Sequence, residues 1–293
     1  MLKQIVDDIY FVEDTHQARV PYCHCIYVDD DRPTLIDTSS GPEIVEAVNS
    51  RRGVKLILTS HYHEDHILNV DSFNGAEVWA HPLDAPGIRS TVKFRELCGF
   101  YELNMADIGD MFVQMFPVKD YTVHGEFEDG QIFDTGHYKI QVIHTPGHTA
   151  GHCSFLFPEQ GLLYTGDIDL TNLGPWYGSL CGDADDFIAS INKIKAIDPA
   201  IIVSAHLGVI DHDIQKRLDH YLDRFYMRED RLLNTITEPM SLGALAKKYP
   251  MYGRPQKPEN MYDFFEQMWA AVHLRRLQRL DLVGFEDGVY FKK

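Results

Sequence analysis

Six consecutive residues, His61-Tyr62-His63-Glu64-Asp65-His66, combine three imidazoles with carboxylates in a way that suits a metal site. Each ligand of a bound ion must be a neutral imidazole nitrogen or an ionised carboxylate, held at about 2 Å from the ion. The alternative is a polar loop that holds histidines by chance. It is disfavoured because histidine is an uncommon residue whose usual specialised role is metal ligation. The run therefore predicts a metal site.

The elements around this run would direct its side chains toward one place. Residues 54–59 are mostly apolar and predict a buried strand that ends just before His61. Because His61 and His63 alternate with Tyr62, both rings would point the same way in an extended segment. Asp65 and His66 follow as the backbone turns. A single strand end would thus supply several ligands.

The pattern His61-x-His63-x-Asp65-His66 after a strand resembles the signature of the metallo-β-lactamase superfamily of metallohydrolases. The other segments that the family pattern asks for are also present, in the family's order, between residues 20 and 210. They are the early structural aspartate segment at Asp37, the TPGHT turn with His148, the TGD turn with Asp167, and the final strand before His206. Five ordered matches make this resemblance highly specific.

The resemblance implies an α/β fold, namely a four-layer αββα sandwich, with two divalent ions at one end. The implied ligands are His61, His63 and His148 for one ion, Asp65, His66 and His206 for the other, and Asp167 as the bridge. The ions would be zinc, with iron or manganese as alternatives. A metal-bound hydroxide would attack the substrate, because a bound dication lowers the pKa of its water toward about 7. Asp65, His66 and Asp167 would be the catalytic residues.

Composition fits a soluble globular protein. The chain has 293 residues, of which 44% are hydrophobic and 24% charged. Its amino terminus lacks the apolar run of a signal peptide, and no stretch approaches the roughly 18 apolar residues of a membrane span. The five cysteines are scattered and odd in number, which argues against a disulfide framework. We therefore expect a cytoplasmic protein that does not interact with membranes.

The helical pattern and the balance of charges both change near residue 212, which predicts a catalytic domain over 1–212 and a C-terminal helical region over 213–293. Two amphipathic helices, a short helix between them and a terminal hairpin resemble the winged-helix-like appendage of the β-lactamase-like protein 2 branch. Residues 213–293 hold 14 Lys and Arg against 12 Asp and Glu, which leaves a net charge of about −19 for residues 1–212. Such an acidic domain disfavours nucleic acid as a partner. The C-terminal region could instead be a lid or a homodimer element.

Arginines on the last helix, Arg275, Arg276 and Arg279, leave two interpretations open. They could form a small phosphate-binding patch, or they could belong to a solvated helix face. The second interpretation is favoured.

Substrate contacts are predicted from two segments. The loop over residues 168–178 starts at Asp167 and carries Trp176 and Tyr177 between glycines, so these rings would contact substrate or plug the structure. His152, four residues after His148, could hydrogen-bond to a ligand or substrate. An apolar insertion over residues 84–116 is either core packing or a pocket wall.

The leading hypothesis is a binuclear zinc hydrolase that cleaves a small-molecule substrate, namely a small ester, thioester or lactone-like compound. The alternatives are an endoribonuclease with the same site, a mononuclear iron dioxygenase resembling persulfide dioxygenases, and a non-catalytic interaction protein. The last is weakest because every implied ligand position is filled, and such groups are costly to keep buried without a metal. One departure bears on the substrate. His206 lies in Ser204-Ala205-His206-Leu207-Gly208, where many relatives have Gly-His-Gly.

Overall fold

Two mixed β-sheets form the centre of the molecule. The computed structural model describes residues 1–116 and 118–293, and within these ranges the strands form a seven-stranded sheet, a six-stranded sheet and a separate hairpin. The larger sheet contains β1 (Leu2–Val6), β2 (Ile9–Val12), β3 (Cys25–Val28), β4 (Thr34–Ile36), β5 (Leu56–Leu58), β6 (Glu77–Ala80) and β7 (Gly125–Glu126). The smaller sheet contains β8 (Ile132–Asp134), β9 (Lys139–His144), β10 (Cys153–Phe157), β11 (Leu162–Tyr164), β12 (Ile201–Ser204) and β13 (Gly208–Ile210). The hairpin contains β14 (Val283–Glu286) and β15 (Val289–Lys292).

The helices lie between these strands along the chain. They are α1 (Pro42–Asn49), α2 (Glu64–Ile67), α3 (Ala85–Arg89), α4 (Thr91–Cys98), α5 (Ala106–Met115), α6 (Ala184–Ile197), α7 (Ile214–Thr235), α8 (Leu242–Ala246) and α9 (Glu259–Arg279). In the part of the chain that the structure describes, no helix combines the length and the apolar character needed to cross a bilayer. Helix α6 shows why a helix begins where it does. The Asp183 side chain accepts hydrogen bonds from the backbone N–H groups of Asp185 and Asp186, at 2.8 and 3.2 Å.

Because of the way the strands pair, the carboxyl ends of several strands lie at the same edge of each sheet. In the larger sheet β4, β5 and β6 run parallel to one another. In the smaller sheet β9 and β11 are both antiparallel to β10, and β12 is parallel to β11. The carboxyl ends of β9, β11 and β12 therefore lie at the same edge, and each is followed by a segment that carries a predicted ligand.

Successive side chains along the strands of the smaller sheet point to opposite faces and pack into two different hydrophobic layers. Phe155 and Phe157 of β10 face the larger sheet, and Leu156 between them packs on the opposite side. On that opposite side the sheet is covered by α6, α7 and α9, with residues such as Phe187 and Trp269 in one shared cluster. The C-terminal helices thus share a core with the smaller sheet, while the division of the chain at residue 212 stays a prediction.

Candidate metal centre

Three histidines from two segments of the chain form the first cluster of the centre. The Nε2 atom of His148 lies 3.1 Å from Nε2 of His61 and 2.9 Å from Nδ1 of His63. All three side chains are buried, and their potential ligand atoms lie within 4.8 Å of one another. Such a group of convergent imidazole nitrogens matches the ligand type and number that a zinc site requires.

The outward nitrogens of these rings have partners that fix the ring orientation. His61 Nδ1 lies 3.0 Å from Ser60 Oγ, and His63 Nε2 lies 3.3 Å from Ser179 Oγ. His148 Nδ1 lies 2.7 Å from the backbone oxygen of Trp176. Partners of this kind hold a metal-binding ring in one tautomer and one orientation. No pattern in the sequence indicated Ser179, because it lies far from His63 along the chain.

A second cluster contains Asp65, His66 and His206. Their ligand atoms also lie within 4.8 Å of one another, with His206 Nε2 at 3.4 Å from Asp65 Oδ2. His206 Nδ1 lies 2.8 Å from the backbone oxygen of Ala18. The structure therefore brings the remaining pair of predicted histidines to one carboxylate, beside the first cluster.

Asp167 joins the two clusters. Its Oδ2 lies 3.3 Å from His148 Nε2, whereas its Oδ1 lies 3.0 Å from His66 Nε2 and 3.2 Å from His206 Nε2. His66 Nε2 and Asp167 Oδ1 are buried, yet within the described residues neither has a hydrogen-bond partner of suitable geometry. Leaving such atoms unpaired costs roughly 1–3 kcal/mol each. A cation would satisfy both, so the residues fit a pair of metal ions bridged by this carboxylate.

The charge states of the rings are consistent with metal binding. Burial lowers the pKa values of His61, His63 and His148, which favours the neutral imidazole that binds metal. At His206 burial opposes protonation, but Asp167 and Asp65 together raise its pKa to about 10. The second cluster therefore has a negative potential that attracts a cation, and an ion bound there would displace a proton.

Asp37 supports the second cluster from behind. Its Oδ2 lies 2.6 Å from His66 Nδ1 and accepts hydrogen bonds from Ser60 Oγ and Tyr164 Oη, both at 2.7 Å. Its Oδ1 accepts a hydrogen bond from the Ser60 backbone N–H at 2.7 Å. This fully buried carboxylate thus sets the tautomer of His66, which agrees with a structural role for the early aspartate segment.

Asp84 connects the first two ligand segments, and no pattern in the sequence indicated it. Its carboxylate accepts hydrogen bonds from Thr149 Oγ1 at 2.6 Å, from Gly151 N at 2.7 Å and from Tyr62 N at 3.3 Å. Burial nevertheless raises the pKa of Asp84 to about 7. The residue lies at the start of the insertion and ties the His61–His63 segment to the turn that carries His148.

His152 was predicted to hydrogen-bond to a ligand or to substrate, and in the structure its ring contacts the candidate ligand Asp167. The ring is fully buried behind the centre, where its Nε2 accepts a hydrogen bond from the Asp167 backbone N–H at 3.1 Å. Its Nδ1 lies 2.9 Å from the Thr145 backbone oxygen. Burial lowers the pKa of His152 to about 3 and keeps the ring neutral. The ring holds the backbone of Asp167 in place.

For Tyr177 both substrate contact and a structural plug were predicted, and its complete burial favours the plug. The side chain is fully buried, and its hydroxyl lies 2.8 Å from His273 Nε2 on α9. Trp176, the neighbouring residue, is half-buried and lines a cavity beside the metal centre. Its indole N–H donates to Tyr252 Oη at 3.2 Å. Consecutive side chains on this bent loop point in opposite directions, one into the core and one into the cavity.

The arginines of α9 are used inside the molecule. Arg276 pairs with Asp185 at 2.7 Å and with Glu229, and Arg279 also pairs with Asp185 at 2.7 Å. Arg275 donates to the backbone oxygen of Gly182 at 2.8 Å. These contacts favour neither a phosphate-binding patch nor a purely solvated helix face. Instead, the arginines bind α9 to α6 and α7.

A sandwich of two mixed sheets with imidazoles and carboxylates gathered at one edge is the architecture of a metallohydrolase. The sequence model of the family described as the metallo-beta-lactamase superfamily matches residues 18–206. The chain belongs to this superfamily, and the α/β sandwich expected from the motifs is confirmed.

Similar proteins include a "Beta-lactamase-like protein 2 homolog" from Drosophila melanogaster, 24% identical over 78% of this chain and 70% of that protein. An "Atrochrysone carboxyl ACP thioesterase" from Aspergillus fumigatus is 24% identical over 75% of this chain and 56% of its own length. A crystal structure of a metallo-beta-lactamase family protein from Thermus thermophilus has a TM-score of 0.79 and 21% identity, and covers 98% of this chain and 99% of that one. This likeness extends the shared fold through the C-terminal region.

Proposed function

We propose that this protein uses a binuclear centre, occupied by zinc, to hydrolyse a small ester, thioester or lactone-like substrate. The observation that carries the proposal is the position of Asp167, whose two carboxylate oxygens face different clusters of candidate ligands. A carboxylate in that position would hold two dications close together and offset their repulsion. The endoribonuclease alternative gains no support from α9, since its arginines are paired with acidic groups and backbone oxygens of the same chain.

Bound divalent ions would supply a nucleophile from water at neutral pH and would polarise the carbonyl oxygen of the substrate. The chain's own residues would arrange this chemistry. His61, His63 and His148 present neutral nitrogens, while Asp65 and Asp167 provide negative charge. The partners of the ligand rings would keep these groups in place before substrate arrives.

The apolar surroundings of the centre support a substrate with an apolar part. Trp176, Phe112 and Phe265 line the cavity that also contains Asp167 and His206. The thioesterase name belongs to the Aspergillus fumigatus protein, and it supports thioesters as the first substrates to test here.

Metal analysis of freshly purified protein, together with assays on simple esters, thioesters and lactones, tests the proposal. We expect about two zinc ions per chain and activity that a chelator removes and zinc restores. One iron per chain with oxygen-dependent activity would favour the dioxygenase alternative instead.

Asp167→Asn should lower metal content and activity together, because the bridge loses its charge. Asp169→Asn is the matched control, since Asp169 lies in the same loop and hydrogen-bonds to Tyr221 Oη at 2.8 Å, outside the clusters. Its metal content should remain that of the wild type. Two retained metals and full activity in Asp167→Asn would refute the bridging role.

A further inference from the structure

The cavity beside the metal centre is larger than a small acyl group needs. Its volume is about 640 Å³, within the range of pockets that enclose drug-sized ligands. The candidate ligands His63, Asp65, His148, Asp167 and His206 contribute to its lining. A substrate as small as an acetyl ester would leave most of this volume filled with water.

Aromatic and thioether side chains from three segments form the apolar part of the cavity. Phe100 and Phe112 come from the insertion, Trp176 from the loop after Asp167, and Met261 and Phe265 from α9. The Phe265 ring packs edge-on against Trp176, with centroids 5.5 Å apart, and against Phe112, with centroids 6.0 Å apart. These mutual contacts give the wall a fixed shape, and they make the C-terminal region part of the cavity. We call this set of five residues the apolar chamber.

Glu64 introduces a carboxyl group into the lining of the same cavity. The Glu64 residue is only 7% exposed, and its carboxyl accepts a hydrogen bond from its own backbone N–H. Cys98 also lines the cavity. A carboxyl accepts a hydrogen bond whether it is ionised or neutral. A carboxylate has about four acceptor positions, and a buried one that fills only one of them is costly, so a polar ligand group would lower that cost.

We propose that the substrate is an ester or thioester whose acyl part is a bulky apolar group with a hydroxyl or amino substituent. The apolar part fills the apolar chamber, and the substituent donates a hydrogen bond to Glu64. Hydrolysis adds the oxygen of water to the acyl carbon and breaks its bond to sulfur or oxygen. The products are a carboxylic acid and a thiol or alcohol, which together carry the two hydrogens of water. This inference rests on the proposed function and names the substrate class.

The test uses the metal-loaded full chain and thioesters of N-acetylcysteamine. The acyl groups are acetyl, phenylacetyl, and the 2-, 3- and 4-hydroxyphenylacetyl isomers. We expect kcat/KM to be at least about tenfold higher for phenylacetyl than for acetyl, because the ring leaves water for an apolar wall. The best hydroxyphenylacetyl isomer should exceed phenylacetyl by a further factor of about ten, because it satisfies Glu64.

Single variants distinguish the contribution of the apolar chamber to substrate preference from that of the Glu64 carboxyl. In Phe265→Ala the preference for phenylacetyl over acetyl should fall by about tenfold. In Glu64→Leu the ratio between the best hydroxylated isomer and phenylacetyl should fall to about one. Glu64→Gln is the matched control, because its amide oxygen still accepts a hydrogen bond, and it should keep most of that ratio. Because Glu64 lies between His63 and Asp65, metal content is measured for each variant, and the ratios are compared at equal loading.

Several results would overturn the inference. They are equal turnover of acetyl and phenylacetyl thioesters, no hydroxylated isomer better than phenylacetyl, or a Glu64→Leu variant that slows all thioesters while the ratio stays unchanged. Failure of the proposed function would look different, since the loaded protein would then cleave none of the thioesters. Calorimetric titration with phenylacetate, hydroxyphenylacetates and acetate would still decide the substrate preference. Binding in the order predicted above would support the apolar chamber and Glu64, and equal or absent binding would overturn them.

Discussion

Asp37→Asn tests whether the residues behind the metal centre control its metal affinity. In the wild type, Asp37 Oδ2 accepts hydrogen bonds from Ser60 and Tyr164 and lies 2.6 Å from His66 Nδ1, while Oδ1 accepts from the Ser60 backbone. Asparagine keeps the shape but replaces one acceptor with a donor. If the amide nitrogen faces His66, it favours the tautomer that places a proton on Nε2, the atom directed at Asp167. If it faces the Ser60 backbone N–H, two buried donors oppose each other.

Either orientation should weaken metal binding at the second cluster by about 10- to 100-fold, the usual effect of losing a partner of a ligating ring. The free energy of unfolding should also fall by about 1–3 kcal/mol, because a buried group loses its hydrogen bond. Metal affinity would be measured by competition with a chromogenic chelator, and stability by denaturant unfolding of chelator-treated protein.

Asp30→Asn is the matched control for this experiment. Asp30 is also buried, and its carboxylate accepts hydrogen bonds from Thr135 Oγ1 and the His137 backbone N–H, both at 2.7 Å, outside the metal centre. It should lose stability without losing metal affinity. Wild-type affinity for both metal equivalents in Asp37→Asn would refute the reasoning, as would an equal loss of affinity in both variants.

Trp176→Ala should raise KM and lower kcat/KM, with a loss of about 1–3 kcal/mol in transition-state stabilisation. Metal content should stay intact, because the backbone oxygen that contacts the His148 ring remains, whereas metal loss would show that Trp176 is a structural plug. Arg276→Ala should lower the free energy of unfolding by roughly 1–3 kcal/mol, because Glu229 loses its ion-pair partner. RNA affinity should be negligible with and without this change, and salt-sensitive RNA binding that the variant loses would contradict a structural role for Arg276. Burial raises the pKa of Asp84 from its usual 3.8 to about 7 in the folded state, so between these pH values the folded protein binds one more proton than the unfolded chain. The free energy of unfolding should therefore fall by up to about 4 kcal/mol as pH rises from about 4 to 7. Asp84→Asn should flatten this slope in unfolding titrations, and an unchanged slope would assign it to other groups.

The sequence determined the elements that carry the site. The mostly apolar run over residues 54–59 predicted β5 (Leu56–Leu58), because burial of a strand leaves a local pattern of apolar residues. The candidate ligands were also identified from the sequence, since they follow directly on strand ends and their side chains have a specialised chemistry.

Tertiary structure alone decided how those groups face one another. Trp176 and Tyr177 are adjacent in sequence, yet one lines the cavity and the other is buried against α9, and only packing between distant segments determines which. Asp84 and Glu64 carry no local signal, because their surroundings come from residues far apart along the chain. Periodicity records which face of an element is buried, whereas a hydrogen-bond network depends on the relative placement of many elements. For that reason the candidate ligands could be named from sequence, but their supporting partners and the walls of the cavity could not.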